Sequence, residues 1–145
     1  MLLQHAVPHG MTVNAGYYQR VIRRDLMRAI RKKRPGAEIE NLLFHQDNAQ
    51  SHRSKETLLT IDFLGYESLP HAPYSPDLAP FDFALFPRLK EDLRGVRYQD
   101  LHELRMAVRT KVAEYGKDWY GQIFRQWVER HHKCVRAAGE YFEKL

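Results

Sequence analysis

The sequence predicts an α/β fold followed by a helical C-terminal part. Short apolar runs at residues 2–7, 42–47 and 66–69 are typical of strands. Segments with apolar residues at every third or fourth position lie between these runs, and beyond residue 95 only this helical spacing remains. Strands that alternate with helices are typical of α/β domains. We therefore expect an α/β part over residues 1–95 and a helical part over residues 96–145.

The first predicted elements are a strand, a long helix and a second strand. Residues 2–7 are expected to form the first strand, which Pro8, His9 and Gly10 would end as a turn. Asn14 is a good cap for a helix that runs to the Pro35-Gly36 pair. The buried stripe of this helix comprises Tyr18, Ile22, Leu26 and Ala29 or Ile30. Residues 42–47 are expected to form a strand buried on both faces.

The remaining elements are helices around one further strand. Ser51 is expected to cap a helix that ends near Phe63, with Gly65 as its stop. A strand follows at residues 66–69, and four prolines stiffen the loop over residues 70–80. A single turn then precedes a helix that restarts with Pro87 in its first turn. Two more helices follow: one begins near Asp100, and the other spans residues 118–143.

Composition restricts the partners and the compartment. The 145 residues carry a net charge of +5, which favours polyanions, nucleic acid above all; a basic protein without such a partner is the alternative. The single cysteine, Cys134, excludes an internal disulfide and fits a reducing compartment. No run approaches the roughly 18 apolar residues of a membrane span, and the start lacks the features of a signal peptide. We expect no membrane partner, and residence in the nucleus or the cytoplasm.

Two acids are the candidate metal ligands. Asp47 closes the predicted strand at residues 42–47, and Asp82 follows the proline-rich loop, with 34 residues between them. Carboxylates at a strand end and a helix start can converge on Mg²⁺, which prefers oxygen ligands. We expect His45 and Asn48 to orient Asp47 without binding the metal. A plain charge at a helix start is the alternative for Asp82.

A second metal arrangement and a basic surface stay open. His45, Asp47 and His52 have the residue types of a mononuclear zinc site. The densest basic run lies between residues 20 and 34, on the helix face opposite its apolar stripe. Its members can contact phosphates, and a solvated outer face is the alternative interpretation. The candidate DNA-binding residues are Arg24, Arg28, Arg31, Lys32 and Lys33.

Several segments resemble a known family. Residues 12–18 (TVNAGYY), 45–52 (HQDNAQSH) and 69–82 (LPHAPYSPDLAPFD) resemble the catalytic domain of mariner-type DNA transposases, and so does the ending from 127–130 (WVER) to 139–142 (GEYF). The family includes the transposase half of a fusion with a SET methyltransferase. The resemblance implies a ribonuclease H-like fold and three aspartates that bind two Mg²⁺ or Mn²⁺ ions. Asp47 would be the second and Asp82 the third, in an endonuclease that cleaves transposon ends and joins a 3′-hydroxyl to target DNA.

The resemblance also implies that part of the family's site precedes Met1. There the first aspartate, on the first strand, lies upstream of the segment that matches residues 12–18, and helix-turn-helix domains lie further upstream. The first aspartate would offset part of the repulsion between the two metal ions. That repulsion is roughly 17 kcal/mol for divalent cations about 4 Å apart at an effective dielectric of 20.

For this reason we expect a truncated, catalytically incomplete ribonuclease H-like domain that binds one metal ion weakly and DNA without specificity. A second copy of the chain or a full-length transposase is a candidate partner. A domesticated, non-enzymatic DNA- or protein-binding module is the alternative.

Overall fold

The chain folds into two compact units. The computed structural model describes residues 1–140; the first unit is Met1–Tyr74 and the second begins at Ser75. The first unit contains a small parallel sheet with helices, and the described part of the second unit is helical. This mixed, helix-rich arrangement confirms the α/β class. The units divide after Tyr74.

The first unit is built on one parallel pair of strands. Strand β1 (Leu43–His45) pairs with β2 (Glu67–Leu69), so that Leu43 lies opposite Glu67 and His45 opposite Leu69. The helical elements of this unit are α1 (Ala15–Arg20), a π-helical segment (Val21–Leu26), α2 (Met27–Lys33), a 3₁₀ turn (Ile39–Asn41), α3 (Gln50–Arg53) and α4 (Lys55–Phe63).

The long N-terminal helix confirms its predicted boundaries. The Asn14 side chain accepts a hydrogen bond from the Tyr17 N–H at 2.8 Å, as an N-cap does. The helix continues through α1, the π-helical segment and α2, and it stops at Lys33 just before Pro35-Gly36. Gly36 has φ +84°, a backbone conformation that glycine adopts without strain.

Three expectations for this unit are wrong. Residues 1–8 form no strand; Leu2 instead packs on the core, because the two-stranded sheet offers it no ladder. The helix expected from Ser51 to Phe63 is broken at Ser54, whose Oγ accepts from the Thr57 N–H at 3.2 Å and caps α4. Residues 42–47 are not buried on both faces, since Leu43 is 59% exposed.

The core of the first unit joins the long helix to α4 and β2. Ile22, Ile30, Ile61 and Tyr66 are buried, and the first two belong to the predicted stripe. The fully buried hydroxyls on α4 are satisfied inside the protein: Thr57 donates to the Ser51 carbonyl and Thr60 to the Glu56 carbonyl, each at 2.8 Å. Buried hydroxyls with such partners carry no desolvation penalty that would break the helix.

The second unit contains three α-helices within its described residues. Its elements are a 3₁₀ turn (Pro76–Leu78), a π-helical segment (Phe81–Leu85), α5 (Phe86–Asp92), α6 (Leu101–Glu114) and α7 (Gly116–Arg136). Pro87 lies in the first turn of α5, and Asp100 caps α6 through a 2.8 Å bond from the Glu103 N–H, both as predicted.

The last helix is shorter than predicted, and no described helix suits a membrane. α7 ends at Arg136, because the backbone turns left-handed at Ala138 and Gly139, where Gly139 N–H bonds back to the Cys134 carbonyl. The last residues of the predicted helix, 141–143, lie outside the described residues. Within residues 1–140, no helix is both long and apolar enough to cross a membrane.

The core assignment can be tested with two substitutions on α4. Ile61 is 1% exposed, so Ile61→Ala should lower the free energy of unfolding by about 2–5 kcal/mol through lost burial and a new cavity. Leu59 on the same helix is 58% exposed, and Leu59→Ala should change it by less than about 0.5 kcal/mol. Urea titrations followed by circular dichroism measure both. Equal losses from the two variants would contradict the core described here.

Candidate functional site

Asp47 lies just beyond the carboxyl end of β1. The last paired residues of the ladder are His45 and Leu69, and both chains then leave the sheet side by side. Their exits are tied together: Asn48 Nδ2 donates to the His71 carbonyl at 2.9 Å, and His45 Nε2 lies 3.2 Å from His71 Nδ1. In open α/β sheets, binding sites form at this end of the strands.

One oxygen of the Asp47 carboxylate is held by two donors. Oδ1 accepts the Ala49 N–H at 3.0 Å and lies 2.5 Å from His52 Nδ1. Because a carboxylate only accepts, the hydrogen of this second bond resides on His52 Nδ1. The side chain remains 55% exposed, and none of the described hydrogen bonds involves Oδ2.

The surroundings of Asp47 keep it ionised. Partial burial by itself would raise the pKa of this carboxyl group. The hydrogen bonds from the Ala49 N–H and His52, together with the charges of His52 and His71, outweigh that effect and hold the pKa below its ordinary value of 3.8. At neutral pH the group is therefore a carboxylate, which is the form that binds metal ions.

His52 is itself held by Tyr18 and Gln46. The Tyr18 ring lies on the His52 ring with centroids 4.1 Å apart and an interplanar angle of 31°. The Tyr18 hydroxyl donates to Gln46 Oε1 at 2.8 Å, and Gln46 Nε2 donates to the His52 carbonyl at 3.3 Å. These contacts close a ring of three residues behind Asp47. Burial, and to a smaller extent the Asp47 charge, raise the pKa of Tyr18 to about 12.

Asp82 lies in the second unit, in the first turn of the π-helical segment. Its side chain is exposed, and the N–H groups of Asp82 and Phe83 both bond to the Ala79 carbonyl at 3.0 Å. An anion at the start of a helix is favoured by the helix dipole. Helical segments of the π type are rare and occur often at functional sites, which favours Asp82 as a functional residue.

Helix α7 holds the turn that precedes Asp82. Trp127 Nε1 donates to the Leu78 carbonyl at 2.7 Å, and Arg130 Nη1 donates to the Asp77 carbonyl at 3.2 Å. The Arg130 guanidinium also lies 4.3 Å from the centre of the Phe83 ring. These directional contacts fix the backbone of the 3₁₀ turn.

The other predicted site residues occupy distinct environments. The hydrogen bonds of His45 and Asn48 described above go to His71, and the side chain that contacts Asp47 directly is His52. Among residues 1–140, no three or more His, Cys, Asp or Glu side chains are grouped so that they could hold a metal ion. The zinc site of His45, Asp47 and His52 is therefore not assembled in the described part of the chain.

The basic residues of the long helix divide into engaged and unengaged groups. Arg24 pairs with Asp25 at 3.3 Å, and Lys33 Nζ donates to the Met1 carbonyl at 2.7 Å. Arg28, Arg31 and Lys32 are exposed, and no hydrogen bond or ion pair of their side chains is found within residues 1–140. These three side chains are the members of the predicted set that can meet a phosphate without giving up an internal partner.

The spacing of residues did not reveal the contacts that support the two acids. Tyr18 and Gln46 are 28 positions apart, and Trp127 is 49 positions from Leu78. Only His52, five positions beyond Asp47, lies near enough in the sequence to be noticed. Its match to the family segment over residues 45–52 was the available signal.

The sequence is similar to two characterised proteins. It is 35% identical over 136 residues to the Mariner Mos1 transposase of Drosophila mauritiana, across 92% of this chain and 39% of that protein. It is 38% identical over 102 residues to the histone-lysine N-methyltransferase SETMAR of Homo sapiens, across 70% of this chain and 15% of that protein. The chain therefore spans well under half of either relative. No protein-family model matches the chain.

The fold is similar to solved structures of the same transposase. The Mos1 catalytic domain solved with raltegravir and Mn matches with a TM-score of 0.83 and 36% identity, over 92% of this chain and 68% of that one. The Mos1 paired-end complex with the left transposon end matches with a TM-score of 0.88 and 35% identity, over 98% of this chain and 41% of that one.

These similarities identify the chain in two stages. The fold and the identity over most of the chain place it with the catalytic domains of DNA transposases. Within that class, the chain belongs to the mariner family.

The Tyr18 hydroxyl, which supports His52 next to Asp47, should make the folded protein less stable at alkaline pH. The pKa of Tyr18 is about 12 in the folded protein and 10.0 for a free tyrosine, so the unfolded chain loses this proton first as pH rises. The contribution is complete below pH 10 and is lost between about pH 10 and 12. Tyr18→Phe should flatten this part of the profile in urea titrations at pH 8 to 11.

The control for this measurement is Tyr74→Phe. The Tyr74 side chain is fully exposed, so this variant should keep the alkaline decline of the parent chain. An unchanged decline in Tyr18→Phe would contradict the burial of this hydroxyl.

Proposed function

We propose that this chain forms part of a ribonuclease H-like transposase domain that cleaves DNA and joins its ends. In this proposal Asp47 and Asp82 are two of the carboxylates that hold Mg²⁺ or Mn²⁺. The observation that carries the proposal is an ionised, exposed carboxylate at the carboxyl end of a parallel strand, in a chain whose fold matches a transposase catalytic domain solved with Mn. The parallel pair with its helices supports a ribonuclease H-like sheet.

The donor chemistry of the two acids fits these cations. Mg²⁺ and Mn²⁺ prefer carboxylate oxygens, and Asp47 presents a charged carboxylate that is 55% exposed. Asp82 presents a second one at the start of a helical segment. When bound, divalent cations stabilise the negative charge that develops on the attacking and leaving oxygens of a phosphodiester. The protein's own part is to orient the carboxylates, through His52 and Ala49 at Asp47 and through the turn held by α7 at Asp82.

For a polypeptide of these 145 residues alone, we propose weak binding of a single cation. Two carboxylates offset only part of the repulsion between two divalent ions in adjacent sites, which is roughly 17 kcal/mol at 4 Å and a dielectric of 20. The family resemblance implies a third carboxylate, which would offset more of this repulsion. Such a polypeptide should therefore show little or no nuclease activity by itself.

DNA is the proposed partner, and the nucleus is the proposed compartment. The net charge of +5 and the exposed Arg28, Arg31 and Lys32 favour contact with phosphates. The Mos1 structures of similar fold include a paired-end complex with the left transposon end and a strand transfer complex, which supports DNA as a partner of this chain as well. The same basic surface also favours the second candidate function, a non-enzymatic DNA-binding module, because it needs no metal.

The metal proposal is tested with three matched aspartate variants. Titration of Mn²⁺, followed by its electron paramagnetic resonance signal, should give at most one weakly bound ion per chain. Asp47→Asn should weaken binding by about tenfold or more, and Asp82→Asn should also weaken it. Asp77→Asn is the control, because the substitution leaves the backbone carbonyl that accepts from Arg130 in place.

A nicking assay with supercoiled DNA and Mg²⁺ completes this test. The 145-residue polypeptide should leave the DNA intact. Cleavage that Asp47→Asn abolishes would show that the polypeptide is catalytically complete, against the proposal. Binding of Mn²⁺ that is indifferent to both Asp47→Asn and Asp82→Asn would refute the assignment of the two ligands.

The DNA surface is tested by salt dependence. Each phosphate contact contributes about −0.9 to the slope of log K against log salt for duplex DNA. Arg31→Gln combined with Lys32→Gln should make the slope shallower by about 2 and weaken binding to all sequences alike. Lys90→Gln, an exposed basic residue on α5, serves as a control for net charge. A change in slope from Lys90→Gln as large as that from the double variant would place the DNA surface elsewhere.

A further inference from the structure

We propose that His52 is a positioning residue that makes Asp47 a one-oxygen ligand and thereby selects small octahedral cations over Ca²⁺. The inference rests on the proposed function, since it concerns how Asp47 would bind its cation. It goes beyond it by assigning a role in cation selectivity to a side chain that is neither a proposed metal ligand nor a proposed DNA contact.

The carboxylate of Asp47 is unsymmetrical in its hydrogen bonding. Both of its donors, His52 Nδ1 at 2.5 Å and the Ala49 N–H at 3.0 Å, contact Oδ1. Two lone pairs of Oδ1 are thus directed at donors of the protein. Oδ2 receives no hydrogen bond from the described residues and belongs to a side chain that is 55% exposed. A cation that approaches from solvent therefore meets Oδ2 as the available ligand.

His52 is held too firmly to move aside for a cation. Its ring packs against Tyr18 at 4.1 Å between centroids, and its carbonyl accepts from Gln46 Nε2 at 3.3 Å. Tyr18 and Gln46 are joined in turn by a 2.8 Å hydrogen bond. The His52 side chain is only 21% exposed. To free Oδ1 for a metal, the protein would have to break the His52 bond and disturb this closed set of contacts.

The number of oxygens that a carboxylate offers affects which cation it prefers. Ca²⁺ takes six to eight oxygens and commonly binds a carboxylate through both of its oxygens. Mg²⁺ requires near-octahedral geometry with short bonds and uses a carboxylate through one oxygen, and Mn²⁺ shares this preference for octahedral oxygen sites. With Oδ1 occupied by His52, Asp47 suits the smaller ions. Removal of the donor would release a second oxygen and favour Ca²⁺.

Two substitutions of His52 separate its donor from its ring. His52→Phe keeps an aromatic ring against Tyr18 and removes the donor to Oδ1. His52→Asn removes the ring and keeps an amide N–H close to the position of Nδ1. Affinity for Mn²⁺ is measured from its electron paramagnetic resonance signal in the 145-residue chain, and affinity for Ca²⁺ by competition against Mn²⁺.

The expected result is a change in selectivity that follows the donor. His52→Phe should lower the ratio of Mn²⁺ to Ca²⁺ affinity by about tenfold, the size typical of a lost hydrogen bond to a metal ligand. His52→Asn should keep the ratio of the parent chain. An unchanged ratio in His52→Phe would overturn the inference, because a purely structural role affects both ions alike. A ratio lowered equally in both variants would also overturn it, because the change would then not follow the donor.

Infrared difference spectra of the unsubstituted chain provide a test that does not depend on the folding of a variant. The separation of the two carboxylate stretching bands is larger for one-oxygen than for two-oxygen binding. The Mn²⁺-induced bands that Asp47→Asn removes should show the larger separation; the smaller one would overturn the inference. If Asp47→Asn leaves Mn²⁺ binding unchanged, the metal proposal fails together with this inference. If binding needs Asp47 but the ratio ignores the His52 donor, only the inference fails.

Discussion

The pairing of β1 with β2 is the constraint on which the Asp47 site depends. The ladder is only three residues long, so its backbone hydrogen bonds alone hold the register weakly. Beyond the ladder, side chains continue the pairing: Asn48 bonds to the His71 carbonyl, and the rings of His45 and His71 contact each other. A slip by one residue would turn every side chain to the opposite face, which would separate these partners and bury the exposed side of Asp47. The polar contacts past the strand ends therefore fix the register as well as the site.

Features that depend on neighbouring residues could be predicted from the sequence, and those that depend on distant partners could not. Asn14, Asp100 and Pro87 act within one helical turn, and the structure places them as expected. The strand expected at residues 2–7 needed a ladder that no local pattern can supply. The break at Ser54 was a choice between two serines three positions apart, which was decided by the Thr57 partner of Ser54. The π-helical segments were not predicted, because prediction from apolar spacing assumes 3.6 residues per turn.

The same distinction between local patterns and distant partners applies to the two acids and to the side chains that hold them in place. A strand end and a helix start are local patterns, so the sequence could offer Asp47 and Asp82 as candidates, with a plain helix-start charge as the alternative for Asp82. The ring of Tyr18, Gln46 and His52 forms only when the long helix packs beside α3 and the exit of β1. Likewise, Trp127 and Arg130 reach the carbonyls of Leu78 and Asp77 only when α7 packs on the 3₁₀ turn. In each unit the orientation of the acid depends on a helix remote from it in the sequence.

The long helix has an inner face that packs on the protein and an outer face that we propose contacts DNA, and this division makes the two separable. Its inner face supplies Tyr18 to the His52 contact and Ile22 and Ile30 to the core. Its outer face presents Arg28, Arg31 and Lys32 to solvent. Charge removed from the outer face leaves the inner contacts intact, because residues on opposite faces of a helix share no neighbours. DNA affinity and the geometry of Asp47 should therefore respond to different substitutions, although one helix carries both. A variant on the outer face that altered cation selectivity would require the helix to move as a body, and its buried isoleucines resist that movement.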